Sequence, residues 1–116
     1  MVHRATITLA LVSIVLASCT AQQRRAIGET VVRNVVAFEG AKEFKDHGFP
    51  IHDHLICKAK ANPKDESHVG VLCQGTSTTG QRVALIGTTD DIRGNHGHFV
   101  GTVAGRQVFA ETCLGC

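Results

Sequence analysis

The sequence predicts a small α+β protein in which one N-terminal helix packs on a four- to five-stranded antiparallel β-meander. Three observations predict this fold: a helical apolar period over residues 27–48, period-two alternation in five stretches after Pro50, and four cysteines within residues 57–116. The 116 residues suit a single domain. A formal net charge of only +2 gives no electrostatic basis for binding nucleic acid, so we expect no nucleic-acid partner.

The first 18 residues have the pattern of a signal peptide. Arg4 precedes an apolar run from Ala5 to Val15. As a helix this run would reach only about 17 Å, whereas the hydrocarbon core of a bilayer is about 30 Å thick. The run is therefore too short to span a membrane, and we expect residues 1–18 to be removed on export.

The residues at the end of this segment, Leu16-Ala17-Ser18-Cys19, resemble the lipobox of bacterial lipoproteins. This resemblance implies cleavage before Cys19, a diacylglycerol on its sulfur and an acyl chain such as palmitate on the new amino group. Two or three acyl chains give durable attachment. We therefore expect a lipid anchor at the extracytoplasmic face of the cell membrane, followed by a polar tether over residues 19–26 and a domain over residues 27–116. An ordinary signal peptide with a chance cysteine is the alternative.

Residues 27–48 have the period of a helix. Two adjoining apolar stripes are formed by Ile27, Val31, Val35 and Phe38, and by Ala37, Ala41 and Phe44. Gly48 stands where a left-handed C-cap belongs, and Pro50 follows it. The β-branched valine pairs and the interior Gly40 disfavour a helix, so a strand from Thr30 to Phe38 is the alternative.

Five short stretches after the helix alternate with period two. They are Ile51–Ala61, His68–Thr76, Gln81–Thr88, His98–Val103 and Gln107–Cys113. Turn-forming residues separate them, as in an antiparallel meander. In the first stretch Leu55 and Cys57 share one face, whereas Lys58 and Lys60 share the other. We therefore expect one apolar face, covered by the helix, and one polar face.

The predicted domain contains four cysteines, Cys57, Cys73, Cys113 and Cys116. Disulfides are expected in an exported protein, and four cysteines allow three pairings. A symmetric hairpin centred on Asp65 places Cys57 opposite Cys73, which makes them the leading pair. Closing this loop would stabilise the domain by about 3 kcal/mol. Cys113 and Cys116 then pair locally or stay reduced.

The spacing of Cys113 and Cys116 also occurs in thiol oxidoreductases. In those enzymes the motif opens a helix, whose N-terminus lowers the pKa of the reactive thiol. The sequence ends at Cys116 with no helix after the motif. A structural role is therefore the favoured interpretation, and thiol-redox activity is the alternative.

Histidines offer another candidate chemistry. His52 and His54 form one pair, and His96 and His98 form another. In an extended strand the two imidazoles of each pair lie about 7 Å apart on one face, a workable spacing for Zn²⁺ or Cu²⁺. All four lie on the predicted polar face or in turns, where solvated histidines are ordinary. A transition-metal site is thus an alternative, and a pH response near 6.5 is a further hypothesis.

With the lipobox, the helix-then-meander order and the paired Cys57 and Cys73, the chain resembles the small cell-envelope lipoproteins of actinobacteria, including mycobacteria. More loosely, the segment from Cys57 to Val83 resembles secreted domains of unknown function with one cysteine-bridged hairpin and a β-meander. These resemblances imply no catalytic residue and no cofactor beyond the acyl chains on Cys19. We expect a non-catalytic binding or interaction module whose partner, besides the membrane, is an envelope protein or a small ligand. A metal-binding or thiol-redox accessory protein is the alternative.

Overall fold

One helix packs on one face of a five-stranded sheet. The computed structural model describes residues 20–91 and 93–116, so the predicted signal peptide and lipidated Cys19 lie outside the described residues. The elements are α1 (Ala21–Asp46), β1 (Ile51–Asn62), β2 (Asp65–Ser77), β3 (Arg82–Thr89), β4 (His96–Val103) and β5 (Arg106–Cys113). The strands are antiparallel and lie in the order β1-β2-β3-β4-β5. The predicted α+β fold is therefore confirmed.

Helix α1 begins at Ala21 rather than at the predicted residue 27. Thr20 is its N-cap: the Thr20 hydroxyl accepts a hydrogen bond from the Gln23 N–H at 3.2 Å, and the Gln23 amide oxygen accepts one from the Thr20 N–H at 2.9 Å. Such a capping box starts a helix in a polar segment that has no apolar period. Most of the predicted tether is therefore helical. Within residues 20–91 and 93–116, no helix has both the length and the hydropathy that crossing a membrane requires.

The buried face of α1 agrees with the predicted stripes only in part: Phe44 is buried, and Ala37 and Ala41 are partly buried against the core. Its buried residues are Val32, Val36, Gly40 and Phe44. By contrast, Ile27 and Phe38 are 63% and 66% exposed. A Cβ at Gly40 would lie 2.8 Å from Cδ1 of Leu85, so the missing side chain lets the helix backbone approach the sheet. Turning Gly40 toward the sheet turns Phe38 toward solvent.

The inner face of the sheet completes the core. Its buried side chains include Leu55, Cys57, Val69, Val71, Cys73, Val83, Leu85, Phe99, Val103 and Phe109. These are alternate positions along each strand, as the period-two pattern predicts. The rings of Phe44 and Phe109 meet edge to face, with centroids 4.9 Å apart, and so join the end of α1 to β5.

The outer face of the sheet carries apolar side chains, contrary to the prediction of a polar face. Leu72, Ile86 and Val100 are 41%, 62% and 38% exposed. The backbone register places them directly opposite one another across β2, β3 and β4. Lys58 lies opposite Leu72 and is exposed. The outer face is therefore polar at the lysines of β1 and apolar at Leu72, Ile86 and Val100 on β2, β3 and β4.

Two disulfides fasten the described chain. Cys57 lies directly opposite Cys73 in the register of β1 and β2, and the two form the disulfide that hairpin symmetry predicted. A second disulfide joins Cys113 to Cys116. Of the two predicted alternatives, a local disulfide or reduced thiols, the structure has the local disulfide. Cys73 is fully buried and Cys57 is 7% exposed, so the first disulfide belongs to the core.

The tip of the β1–β2 hairpin is formed by Pro63 and Lys64, because a bulge lets Asn62 pair with Asp65. The Asp65 carboxylate accepts hydrogen bonds from the Ser67 hydroxyl at 2.6 Å and the Ser67 N–H at 3.1 Å. These two bonds, with a smaller contribution from His68, lower the pKa of Asp65 below its ordinary value of 3.8. His68 therefore belongs to the polar contacts of a turn.

Candidate functional site

A groove of about 830 Å³ lies between α1 and β1. Its volume is within the range of roughly 300–1,000 Å³ that is usual for small-molecule sites. Strand β1 is an edge strand of the sheet, so no further strand of the described chain closes this side. Ala37 and Ala41 line the groove from α1. Their small side chains leave space between helix and strand that larger residues would fill.

The groove has an apolar lining. Ile51, Leu55 and Cys57 contribute to it from β1. Leu55 and Cys57 are only 2% and 7% exposed, so this part of the lining is continuous with the core. Phe38 and Ile56 also line the groove, yet they are 66% and 67% exposed. The groove therefore joins a buried apolar surface to two large apolar side chains in contact with water.

Three cations from α1 line the same groove, namely Arg33, Lys42 and Lys45. The Lys42 ammonium lies 5.4 Å from the ring centroid of Phe38 and 3.6 Å from a carboxylate oxygen of Glu39. Within the described residues, no carboxylate forms an ion pair with Arg33 or Lys45. The charge of the helix side of the groove is therefore positive.

An irregularity in β1 shapes the groove on its strand side. Asp53 has a φ of 66°, and the pairing register shifts between His52 and Ile56. Asp53 and His54 both line the groove, with 3.2 Å between an Asp53 carboxylate oxygen and Nδ1 of His54. The regular extended spacing predicted for His52 and His54 is absent, because the bulge interrupts the strand between them. Among the described residues neither joins a cluster of three metal-ligating side chains, so metal binding there stays a prediction.

The outer edge of β1 is poorly suited to adding another strand. The Ala61 N–H donates a hydrogen bond to the Glu29 carboxylate at 3.0 Å. Lys58 and Lys60 are exposed on this strand, and the irregularity at Asp53 disturbs its regular backbone. Lysines and bulges on edge strands oppose the addition of a strand. The groove therefore offers an apolar and cationic surface rather than a template for an extended peptide.

A second cluster lies at the other end of the strand order, on β4 and β5. It contains His96, Cys113 and Cys116, whose potential ligand atoms all lie within 4.8 Å of one another. His96 is opposite Cys113 in the register, and its Nε2 is 3.5 Å from the Cys113 sulfur. The sequence pattern predicted His96 and His98 as a pair of metal ligands. Within the described residues His98 joins no cluster of three potential ligands. The register of β4 against β5 shifts between His96 and Phe99, so the regular alternation predicted for His96 and His98 is interrupted there.

A third cluster contains Glu43, His47 and Glu111. Nδ1 of His47 lies 2.9 Å from the backbone carbonyl of Glu43, and the His47 ring lies beside Phe109 with centroids 5.3 Å apart. His47 is also the C-cap residue of α1. A histidine is favourable at a helix C-terminus, so capping and packing account for its position.

No binding role was predicted from the sequence for the groove residues Arg33, Phe38, Lys42 and Lys45; Phe38 was expected in an apolar stripe of the helix. A signal exists for Arg33 and Lys45, because Arg33, Ala37, Ala41 and Lys45 recur at intervals of four and therefore share one helix face. Recognising it requires knowing that this face borders an edge strand.

Comparison with protein-family models, curated proteins and solved structures found no match for the chain.

Proposed function

We propose that this chain is a lipid-anchored cell-envelope lipoprotein whose domain is a non-catalytic binding module for an anionic amphiphile. The ligand class is a molecule with a long hydrocarbon chain and a carboxylate or phosphate headgroup. The observation that carries the proposal is the groove between α1 and β1, in which an apolar lining and three cations occur together. The anchor rests on Leu16-Ala17-Ser18-Cys19, which lies outside the described residues.

The apolar lining supports the hydrocarbon part of the ligand. Phe38 and Ile56 are the two most exposed large apolar residues of the described chain, and both line the groove. Adjacent exposed apolar side chains are typical of ligand and interaction sites. Each methylene group that leaves water contributes about 0.8 kcal/mol. A hydrocarbon chain in the groove would shield Phe38 and Ile56 from water and extend toward the buried Leu55.

The cations support the headgroup. Arg33, Lys42 and Lys45 come from the same helix, and Asp53 is the single carboxylate among the described residues that line the groove. The guanidinium of Arg33 suits a carboxylate or a phosphate, because both accept two hydrogen bonds from its planar fork. Exposed ion pairs contribute only about 0–1 kcal/mol each. The cations therefore select and orient the headgroup, while the hydrocarbon chain supplies most of the affinity.

An aliphatic chain fits this groove better than a peptide strand. A peptide that extends the sheet needs regular backbone partners along β1. The Ala61 N–H is already bonded to Glu29, and the strand is irregular at Asp53. A hydrocarbon chain has no backbone groups to satisfy. The proposed anchor would also hold the groove close to a membrane, where amphiphiles are concentrated.

Titration of the full-length chain with a fluorescent long-chain fatty acid tests the proposal. We expect saturable binding at one site. Phe38→Asp should weaken it by at least about tenfold, since the change removes an apolar contact and brings a carboxylate near the anionic headgroup. Ile27→Asp is the matched control, because Ile27 is 63% exposed on the same helix and is not among the residues that line the groove.

A second pair of variants tests the charge requirement. Lys42→Gln combined with Lys45→Gln should weaken binding of the fatty acid, whereas Lys64→Gln at the hairpin tip should leave it unchanged. Equal losses in the groove and control variants would contradict the proposal. So would displacement of the probe by an acidic peptide but not by unlabelled oleate, because the groove would then be a peptide site.

A further inference from the structure

We propose that His96, Cys113 and Cys116 form a zinc site that opens when the Cys113–Cys116 disulfide is reduced. The three side chains come from β4 and from the residues at and after the end of β5. Their potential ligand atoms lie within 4.8 Å of one another. This site lies apart from the groove between α1 and β1 and does not depend on the ligand proposed for it.

The distances suit a tetrahedral ion. Zinc binds sulfur at about 2.3 Å and imidazole nitrogen at about 2.0–2.1 Å, so a tetrahedral site separates these ligand atoms by about 3.6 Å. Nε2 of His96 lies 3.5 Å from the Cys113 sulfur. The histidine is therefore already placed for zinc before the disulfide opens. Cys116 is exposed and only three residues from Cys113, so its sulfur can separate from Cys113 without rearranging the sheet.

Asn95 orients the histidine for this role. Its side-chain oxygen lies 3.0 Å from Nδ1 of His96, and it can accept a hydrogen bond only if Nδ1 carries the proton. Nε2 is then left with a lone pair that faces Cys113. Asp91 also lies on the Nδ1 side, at 3.5 Å. Metal-ligating histidines typically have such a partner on their other nitrogen, which fixes the tautomer and the ring orientation.

Leu114 holds the two cysteines in place. Its side chain is fully buried, and its N–H donates a hydrogen bond to the Asn95 carbonyl at 2.8 Å. The Asn95 side-chain amide donates to the Leu114 carbonyl at 3.4 Å. Asn95 therefore connects the ligating histidine to the segment between the two cysteines. The two hydrogen bonds between Asn95 and Leu114 do not depend on the disulfide, because neither involves a sulfur; the Asn95 amide also lies 4.0 Å from the Cys113 sulfur.

Loading of the site begins with reduction. A dithiol donor transfers two electrons and two protons to the disulfide, giving two thiols at Cys113 and Cys116, and the donor becomes a disulfide. Zn²⁺ then replaces the two thiol protons, which pass to solvent. Two thiolates and one imidazole leave the fourth zinc position for water or another ligand. While Cys113 and Cys116 are joined as a disulfide they offer no thiolate, so the site does not form in the oxidised state.

The test is zinc binding by the full-length chain before and after reduction with a phosphine. We expect one zinc ion to bind only after reduction, with Co²⁺ as a spectroscopic substitute showing a thiolate charge-transfer band. His96→Ala should weaken zinc binding by at least about tenfold, and His98→Ala should leave it unchanged. Asn95→Ala should weaken it by about tenfold while keeping the cobalt band, as expected for a positioning residue.

A variant with Cys113→Ser and Cys116→Ser shows whether other cysteines bind the metal. It retains Cys19, Cys57 and Cys73, so it reports any zinc that those cysteines bind after reduction. The proposal requires this variant to lose the site. It is overturned if the variant keeps the affinity of the parent chain, if the oxidised chain binds zinc equally well, or if His96→Ala has no effect.

Discussion

Gly40 lies at the closest approach of α1 to the sheet. A Cβ at this position would lie 2.8 Å from Cδ1 of Leu85 and 3.3 Å from Cδ1 of Leu55, and Leu85 is fully buried. Gly28, on the same helix, has no atom within 4 Å of the corresponding position. Glycine lowers helix propensity by a similar amount at both positions. A difference in the stability change on adding a side chain at Gly28 and at Gly40 therefore reports how tightly the helix packs on the sheet.

Substitution should therefore have opposite effects at the two glycines. We expect Gly28→Ala to stabilise the chain by about 1 kcal/mol, because it improves helix propensity without a clash. Gly40→Val should destabilise it by about 2 kcal/mol, because the added side chain overpacks the core. Urea unfolding followed by circular dichroism measures both. Equal changes at the two positions would show that α1 does not pack on the sheet through Gly40.

Gly40 also shows why the helix was predicted but its buried face was predicted only in part. The apolar period specified a helix, yet Ile27, Phe38 and the valines allow more than one way to turn it toward a sheet. Which face is buried depends on where the backbone can approach Leu55 and Leu85, and those residues belong to other elements. The exposure of Phe38, and with it the groove, follows from that contact and cannot be inferred from α1 alone.

The β1–β2 hairpin is the element whose geometry the sequence predicted best. Pairing of Cys57 with Cys73 follows from local hairpin symmetry, and the structure has the same pair despite the bulge near Asn62. The contact between His96 and Cys113 was not predicted. It depends on the register of β4 against β5, which is shifted between His96 and Phe99, and such shifts leave no simple pattern in a sequence.

Removing the two disulfides should have unequal effects on stability. The cysteines of the hairpin are 16 residues apart and those of the second disulfide are 3 apart, so the first constrains a longer loop of the unfolded chain. We expect Cys57→Ala with Cys73→Ala to cost about 3 kcal/mol. Cys113→Ser with Cys116→Ser should cost distinctly less. Urea unfolding under non-reducing conditions gives both values, and a larger loss in the second variant would contradict this ranking.

For the whole molecule, the proposed anchor predicts where the protein resides in a cell. In a bacterial host that processes lipoproteins, the parent chain should sediment with membranes. Cys19→Ala should release it into the soluble fraction, because the diacylglycerol is attached to the cysteine sulfur. The further acyl chain is attached to the amino group that cleavage before Cys19 exposes. Cell fractionation with an immunoblot provides the measurement. Ser18→Ala retains the cysteine and a small residue before it, and should stay with the membrane. Persistent membrane association of Cys19→Ala would contradict the lipid anchor.

The groove of α1 and β1 is the feature from which the proposed function is inferred, and it can be observed with a single reporter. The sequence has no tryptophan, so Phe38→Trp introduces one fluorophore into the groove of the full-length chain. Oleate should shift its emission to shorter wavelength in a saturable way, and methyl oleate should bind about tenfold more weakly because it lacks the charge. Ile27→Trp should not respond. An unchanged spectrum for Phe38→Trp, or equal binding of acid and ester, would contradict a groove for anionic amphiphiles.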